Sequence, residues 1–509
     1  MTMEKGPGAS HNLTGTRVLV VGLAREGTAL TRFLAERRAE VTVTDVKPAS
    51  ALADKIAALA DLPVSYALGS HPLRLLDDAE ILFVSPGVPL ETAFLVEARR
   101  RGLPLSSETR LFTRLCPAMV VGITGSSGKT TTTALVGEAL NSAGWRTWVG
   151  GNIGRPLIGH LDEMRWSETV VMELSSFQLE FFAPWPEPIR RLDGTERGGA
   201  IFDPAGWSPP IAAVLNITPN HLDRHPTMEA YIAAKAQILK YQRAGDLAVL
   251  NFDDPVTREM GQLAAREGKR VLWFSLERDV EEGAFCRGVE LVLRLGGQEE
   301  VLCRVQDVKL LGRHNLANVL AACALVAAVS ATFPEGAGLP AGGAGLPAEA
   351  LHKAITSFSG VEHRLELVRE RDGVLWYNDS IATTPERTVA ALRSFDQSIV
   401  LLAGGRDKHL PWDEMAMLSW GKVRHLILFG EAADLIEEAM RESRRAGGDS
   451  PWATQLHHAG NLKRAVELAD LFARPGDVVL LSPGGTSFDA YKDFAARGEH
   501  FRQLVHSLE

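Results

Sequence analysis

Cysteine is scarce in this chain, with four residues in 509: Cys116, Cys286, Cys303 and Cys323. They are scattered, and none forms the Cys-x-x-Cys pair that a zinc or redox site would use, so they read as reduced, partly buried thiols of a cytosolic protein. Positive charge is in deficit too. Against 63 Asp and Glu there are 54 Lys and Arg, a formal net charge of −9, which argues against nucleic acid as the main partner. No apolar run is read as approaching the roughly 20 residues of a membrane span, so no membrane insertion is expected. The opening MTMEKGPGASHN lacks the apolar centre of a signal peptide. Residues 1–13 are expected to be a loose tail, and the chain is expected to work in the cytoplasm as a monomer.

What is present is an ordinary globular composition, 45% hydrophobic and 23% charged, in a chain too long for a single core. The pattern suggests an α/β protein of three domains. Residues 17–45 read as strand, Gly-containing turn, helix and strand: RVLVVGL, AREGTALTRFLAERRA, EVTVTD. With the later apolar run ILFVSPG (81–87), they predict a first doubly wound domain over 14–116. A second domain, 117–361, opens with MVVGITGSSGKTTTTALVGEAL and continues through TVVMELSSF and IAAVLNIT. The third, 362–509, carries VLWYNDS, SIVLLAGG, HLILFG and DVVLLSPGG, apolar runs that each end in small or polar residues. Two stretches without periodicity, roughly 185–210 and 335–350, are expected to be an exposed loop and a flexible connection.

The most informative stretch is GITGSSGKTT, Gly122–Thr131. Small residues free backbone amides to face phosphate oxygens, the following helix offers its positive end, and a lysine adds a point charge. Gly125, Ser126, Ser127, Gly128, Lys129, Thr130 and Thr131 are therefore the expected ATP-binding residues, with Thr130 placed to ligate Mg²⁺. The loop departs from the strict G-x-x-x-x-G-K-[ST] pattern, because Ile123 occupies the first Gly position and the tight turn falls on Gly125 instead.

Other blocks follow in order: GNIG (151–154), ELSSFQLE (173–180), NHLDRH (220–225), YIAAK (231–235), LLGRHNLANVLAA (310–322), GVEHRLE (360–366), NDSIATTPE (378–386), AGGRDKHLPW (403–412) and SPGGTSFDAY (482–491). Together with TGSSGKTT they resemble the Mur ligase family and its folylpolyglutamate synthetase relatives, over about residues 15–505. The resemblance implies an N-terminal Rossmann-like domain, a central P-loop ATPase-like domain and a C-terminal Rossmann-like domain. It further implies ATP-dependent addition of glutamate to UDP-N-acetylmuramoyl-L-alanine through an acyl phosphate, in peptidoglycan precursor synthesis.

Residue roles come with the resemblance. Lys129, Glu173, His221 and Lys235 become the catalytic set, with Thr130, Glu173, His221 and a carbamylated Lys235 as ligands of two Mg²⁺ ions. Without the resemblance, Lys235 would read as an exposed helix lysine. Asn315, Arg364 and Asp379 become nucleotide contacts, against readings as a helix N-cap for Asn315 and a surface ion pair for Arg364. Asn152 is similar to a residue touching the muramoyl substrate, while Asp45, Ser85 and Gly87 are expected around the uridine diphosphate, near the turn at Arg25 and Glu26. Thr383, Lys408, Ser487 and Phe494 match the glutamate pocket.

Ile381 departs from this pattern, since NDSKAT has lysine where this chain has isoleucine. Two readings stay open: D-glutamate, which is expected, or a variant that takes the L form. A folylpolyglutamate synthetase shares the phosphate loop but lacks the separate first domain, and an inactive nucleotide-binding scaffold is opposed by the intact catalytic set.

Overall fold

A computed structural model describes residues 13–185, 200–219, 224–310, 312–332, 348–447 and 454–508. His221, most of the tail, residues 186–199 of the expected loop and residues 335–347 of the expected connection lie outside the described residues. The chain divides into two compact units. The first is 1–307 with 317–356, and the second is 308–316 with 357–509.

The first unit contains two sheets. Strands β1 (Arg17–Val21), β2 (Glu40–Asp45), β3 (Val64–Leu68), β4 (Ile81–Val84) and β5 (Leu105–Ser106) form a parallel sheet in the order β3-β2-β1-β4-β5. The second sheet is built from β6 (Met119–Thr124), β7 (Thr147–Gly151), β8 (Thr169–Glu173), β9 (Ile211–Val214), β10 (Leu247–Asn251), β11 (Arg270–Ser275), β12 (Gly283–Arg287), β13 (Glu290–Leu295) and β14 (Gln298–Arg304). Its order is β14-β13-β12-β11-β10-β9-β6-β8-β7, parallel except for the antiparallel pairs at the β12-β13-β14 end. The strands around β6 read as near-continuous apolar runs because both faces are covered. One core cluster runs through both sheets, from Val18, Val43 and Phe112 to Val170 and Leu250.

The second unit has one sheet: β15 (Glu366–Arg371), β16 (Val374–Asn378), β17 (Ile399–Gly404), β18 (Val423–Phe429), β19 (Gln455–Gly460) and β20 (Val478–Gly484), in the order β15-β16-β20-β17-β18-β19. Alternation is visible here. Leu401, Val478 and Leu480 belong to the core on one face, and Val400, Leu402, Val479 and Leu481 to the core on the other. Each such side chain contributes roughly 1.5–3 kcal/mol by leaving water.

In all three sheets the strand order reverses beside a central strand: β1 between β2 and β4, β6 between β8 and β9, β20 between β16 and β17. At such a point neighbouring chain segments leave in opposite directions and open a crevice at the strands' carboxyl ends, where ligands of α/β sheets bind. The phosphate loop follows β6 itself, Glu173 ends the neighbouring β8, and the SPGG run ends β20.

Three expectations are corrected. The helix Arg313–Thr332, with a mean hydropathy of 1.7 in its most apolar window, is long and apolar enough to cross a membrane. Its Asn, Ser, Cys and Thr residues break up the contiguous apolar run on which the expectation rested. Within the protein 72% of that window is buried, so the helix is apolar on all sides because it is a core helix. Second, residues 200–210 are not an exposed loop: Ile201, Phe202 and Ser208 are buried. Third, Leu13 does not belong to a loose tail, because it is buried and its amide donates to the Arg37 carbonyl at 3.0 Å.

Candidate active site

The phosphate loop leaves β6 at Thr124, turns at Gly125 and enters the helix Lys129–Ser142. Gly128 has φ 81°, and a Cβ there would lie 2.2 Å from Asn318 Oδ1, so this position requires glycine on two counts. Asn216, just beyond β9, holds the loop from below. Its backbone carbonyl accepts from the Ser126 amide, and its side-chain oxygen accepts from the Ser127 amide, both at 2.9 Å. Ser126 Oγ also sits 3.0 Å from the Tyr231 hydroxyl and donates to the Thr218 carbonyl at 2.9 Å. Nothing in the local sequence marked Asn216 or Tyr231 as loop supports, since both depend on which strands and helices become neighbours.

Lys129 folds back on its own loop, donating to the Gly125 carbonyl at 2.9 Å and the Ser126 carbonyl at 3.3 Å. The next residue, Thr130, donates from Oγ1 to one Glu173 oxygen at 2.7 Å, while Asn152 Nδ2 donates to the other at 2.8 Å. This row exists because β8 lies between β6 and β7. Register pairs Ile123 and Gly151 with Glu173, so the loop after β6 and the turn after β7 flank the carboxylate. Glu173 is 2% exposed, and charge-assisted hydrogen bonds of roughly 1.5–3 kcal/mol each offset part of the cost of burying it.

Lys235 is also 2% exposed, which excludes the surface-lysine reading. Its Nζ donates to the Gly125 carbonyl at 2.9 Å and to Thr124 Oγ1 at 3.3 Å. Burial, and then the neighbouring Lys129 charge, hold its pKa well below the usual lysine value despite Glu173 nearby. Burial thus disfavours the charged form of this amine. His225 is buried, with Nε2 2.9 Å from Ser176 Oγ and its ring stacked on Phe177.

In the five-stranded sheet, Asp45 accepts from the Leu23 amide at 2.8 Å, and Ser85 Oγ donates to the Gly22 carbonyl at 2.9 Å. A Cβ at Gly27 would lie 2.1 Å from that same carbonyl, so glycine lets the helix press onto the turn. Gly87 stands in open space. Arg25 donates to the Gly154 carbonyl at 2.7 Å and the Asn152 carbonyl at 3.3 Å, which ties this crevice to the turn beside Glu173. Glu26 is buried and accepts from Gln178 Nε2 at 3.2 Å. Burial raises its pKa, and burial together with Glu26 pushes Glu108 up to about 8. Arg110, fully buried, donates to the carbonyls of Phe181, Ala183, Asp203 and Ala205. That arginine ties the carbonyls of Asp203 and Ala205 to the helix Glu108–Leu115.

The second unit carries the remaining residues. Asp379 follows β16 and is pushed up to about 7 by burial, although Ser482 Oγ donates to it at 2.9 Å and Arg364 opposes the shift. Arg364 lies between two left-handed residues, His363 (φ 63°) and Leu365 (φ 44°). Asn315 falls in the first turn of the helix beginning at Arg313, with its amide 3.0 Å from the Gly312 carbonyl, so it is not the N-cap. Thr383 and Lys408 come together, Lys408 Nζ to Thr383 Oγ1 at 3.4 Å. Ser487 is buried, and Phe494 receives Ser380 Oγ at its carbonyl at 2.8 Å. Sequence reasoning missed Arg497. It is fully buried, and it donates to the Ser380 hydroxyl at 3.0 Å, the Ser380 carbonyl at 2.8 Å and the Gly485 carbonyl at 3.2 Å. It thus braces the loops after β16 and β20 against each other.

Three family models match the chain. The Mur ligase MurD-like N-terminal domain matches residues 16–107, the Mur ligase middle domain matches 123–184 and 203–326, and the Mur ligase glutamate ligase domain matches 363–485. The UDP-N-acetylmuramoylalanine–D-glutamate ligase of Symbiobacterium thermophilum is 43% identical over 494 residues, 97% of this chain and 98% of that protein. The protein of the same name from Geotalea uraniireducens is 40% identical over 500 residues, 98% of both. Among solved structures, the UDP-N-acetylmuramate-alanine ligase of Thermotoga maritima covers 96% of this chain and 99% of its own at a TM-score of 0.54. At 17% identity it shows a shared fold.

Proposed function

The chain belongs to the Mur ligase family, and on that premise we propose that it uses ATP to join D-glutamate to UDP-N-acetylmuramoyl-L-alanine in cytoplasmic peptidoglycan precursor synthesis, working as a monomer. The observation that carries the chemistry is the row Lys129, Thr130, Glu173, Asn152, with Lys235 behind it, at the ends of adjacent strands. The choice of substrate is supported by relatives of that name aligned over nearly the whole chain.

A carboxylate does not react with an amine at neutral pH until one oxygen becomes a leaving group. The substrate carboxylate oxygen attacks the terminal phosphorus of ATP, the bond to ADP breaks, and an acyl phosphate forms. The uncharged amine of glutamate then attacks the acyl carbon, the C–N bond forms, phosphate leaves and a proton is released. In this scheme Lys129 exchanges its two loop carbonyls for phosphate oxygens, and the first turn of its helix supplies amides. Lys408 and Thr383 hold glutamate, and Asp45 and Ser85 shape the crevice for the uridine diphosphate end.

Magnesium, when bound, would neutralise charge on the transferring phosphoryl group. The hard oxygens of Thr130 and Glu173 fit such an ion, and His221 with Lys235 is the expected second set. The buried Lys235 amine suits carbamylation: in its unprotonated form the nitrogen bonds to the carbon of CO₂ and loses a proton, which places an oxygen donor where an ammonium would repel a metal ion.

The test is phosphate release from ATP in the presence of UDP-N-acetylmuramoyl-L-alanine and each glutamate enantiomer separately. Turnover with the D form is expected. Turnover with neither would reject the substrate, and preference for the L form would reject the stereochemistry alone.

A further inference from the structure

Ile381 stands where the family pattern has a lysine, yet two other cations, Arg387 and Lys408, contact the same loop. The helix Pro385–Leu392 begins directly after the pocket loop, and its Arg387 turns back toward that loop. Arg387 Nη1 donates to the Ile381 carbonyl at 3.0 Å. Two residues on, Thr383 meets Lys408 at 3.4 Å. The two cations feel one another: after burial, Arg387 is the next cause that lowers the Lys408 pKa. Among the described residues, neither has a carboxylate within ion-pair distance.

Arg387 on its helix and Lys408 on the loop after β17 are exposed like charges that weigh on one another, and although the Asp379 carboxyl also feels Arg387, a bound dianion would relieve the remaining repulsion. We infer that Arg387 is a specificity-determining residue of the amino-acid pocket, taking one carboxylate of the incoming amino acid while Lys408 takes the other, and that it supplies the charge missing at Ile381. This rests on the proposed glutamate ligation. The physical logic is that a guanidinium on the adjoining helix can reach the same space as an ammonium on the loop. With its planar fork it also suits a carboxylate better than a point charge does.

The experiment measures KM for D-glutamate, KM for ATP and thermal stability in the unaltered chain, in Arg387→Ala, and in the double variant Arg387→Ala with Ile381→Lys. Arg387→Ala is expected to raise KM for glutamate by roughly 10- to 100-fold, the size of one lost charge-assisted contact. KM for ATP and the melting temperature should stay close to those of the unaltered chain. Adding Ile381→Lys should recover most of the loss. An unchanged KM for glutamate, parallel increases in both KM values, or no recovery in the double variant would each overturn the inference. Absence of turnover by the unaltered chain would instead overturn the ligation itself, so the two failures are distinguishable.

Discussion

Around the phosphate loop the charged groups are engaged with one another: Lys129 with two loop carbonyls, Thr130 and Asn152 with the two oxygens of Glu173, Lys235 with Gly125. In the amino-acid pocket, Lys408 reaches a threonine hydroxyl at 3.4 Å and Arg387 a backbone carbonyl. The first arrangement is a set of placeholders, in which each polar contact can be exchanged for a phosphate oxygen or a metal ion without moving the scaffold. The second is open, and its cations are held near each other at an electrostatic cost until an anion arrives. The difference predicts where substitutions act. Loss of a group in the first region should fall mainly on turnover, because the charge it meets develops during phosphoryl transfer. Loss in the second should fall mainly on the KM of the amino acid, which carries its charges from the start.

The sharpest way to break this contrast is Lys129→Ala. Turnover should fall on the order of 10³-fold or more, as when a central electrostatic partner of a transferring phosphoryl group is lost. Near-normal rates in the phosphate-release assay would end the placeholder reading.

Lys235→Ala comes next, with an expected loss on the order of 10²-fold. Short-chain carboxylic acids added to the assay should restore part of it. A loss without any restoration would mean that the amine itself, not a carboxylate formed on it, is what the site needs.

Lys408→Ala should raise KM for glutamate by roughly 10- to 100-fold and leave KM for ATP nearly unchanged, as steady-state kinetics with each substrate varied will show. A fall in kcat at unchanged KM would erase the distinction between the two regions.

The smallest effect concerns stability. Glu108 is raised from 4.5 to about 8 by burial and by Glu26. A carboxyl with a raised folded-state pKa stabilises least at high pH. Its penalty is absent below about 4.5, grows as pH rises, and is complete above about 8. Glu108→Gln should therefore stabilise the chain at pH 8 by on the order of 2 kcal/mol, and by much less at pH 5. Thermal unfolding at the two pH values checks this, and equal shifts would show that the carboxyl is not the cause.

Much of this was legible in the linear sequence, and the reason differs from residue to residue. The strands appeared as apolar runs because burial on both faces imposes a simple composition. The phosphate loop stood out because amides that approach phosphate need glycine and serine in a fixed order. The buried arginines were not legible. Arg110 and Arg497 look like surface residues in the sequence, and only packing reveals that they satisfy carbonyls from segments far along the chain. The stretch 200–210 differs from its expectation for a similar reason: Ile201 and Phe202 join a core built from segments far along the chain, and Arg110 holds the carbonyls beside them. The helix Arg313–Thr332 was misread because scattered polar residues hid how apolar it is overall.

What the sequence determined by itself was chemistry that local order can encode: an anion-binding turn, its lysine and threonine, and the small residues that end strands. What tertiary structure decided was adjacency. Glu173 meets Thr130 because β8 lies beside β6, Asn216 supports the loop because β9 lies on its other side, and Arg387 faces Ile381 because its helix starts directly after the pocket loop. Strand order is set by how whole apolar faces bury against one another, and no short stretch of residues carries that information.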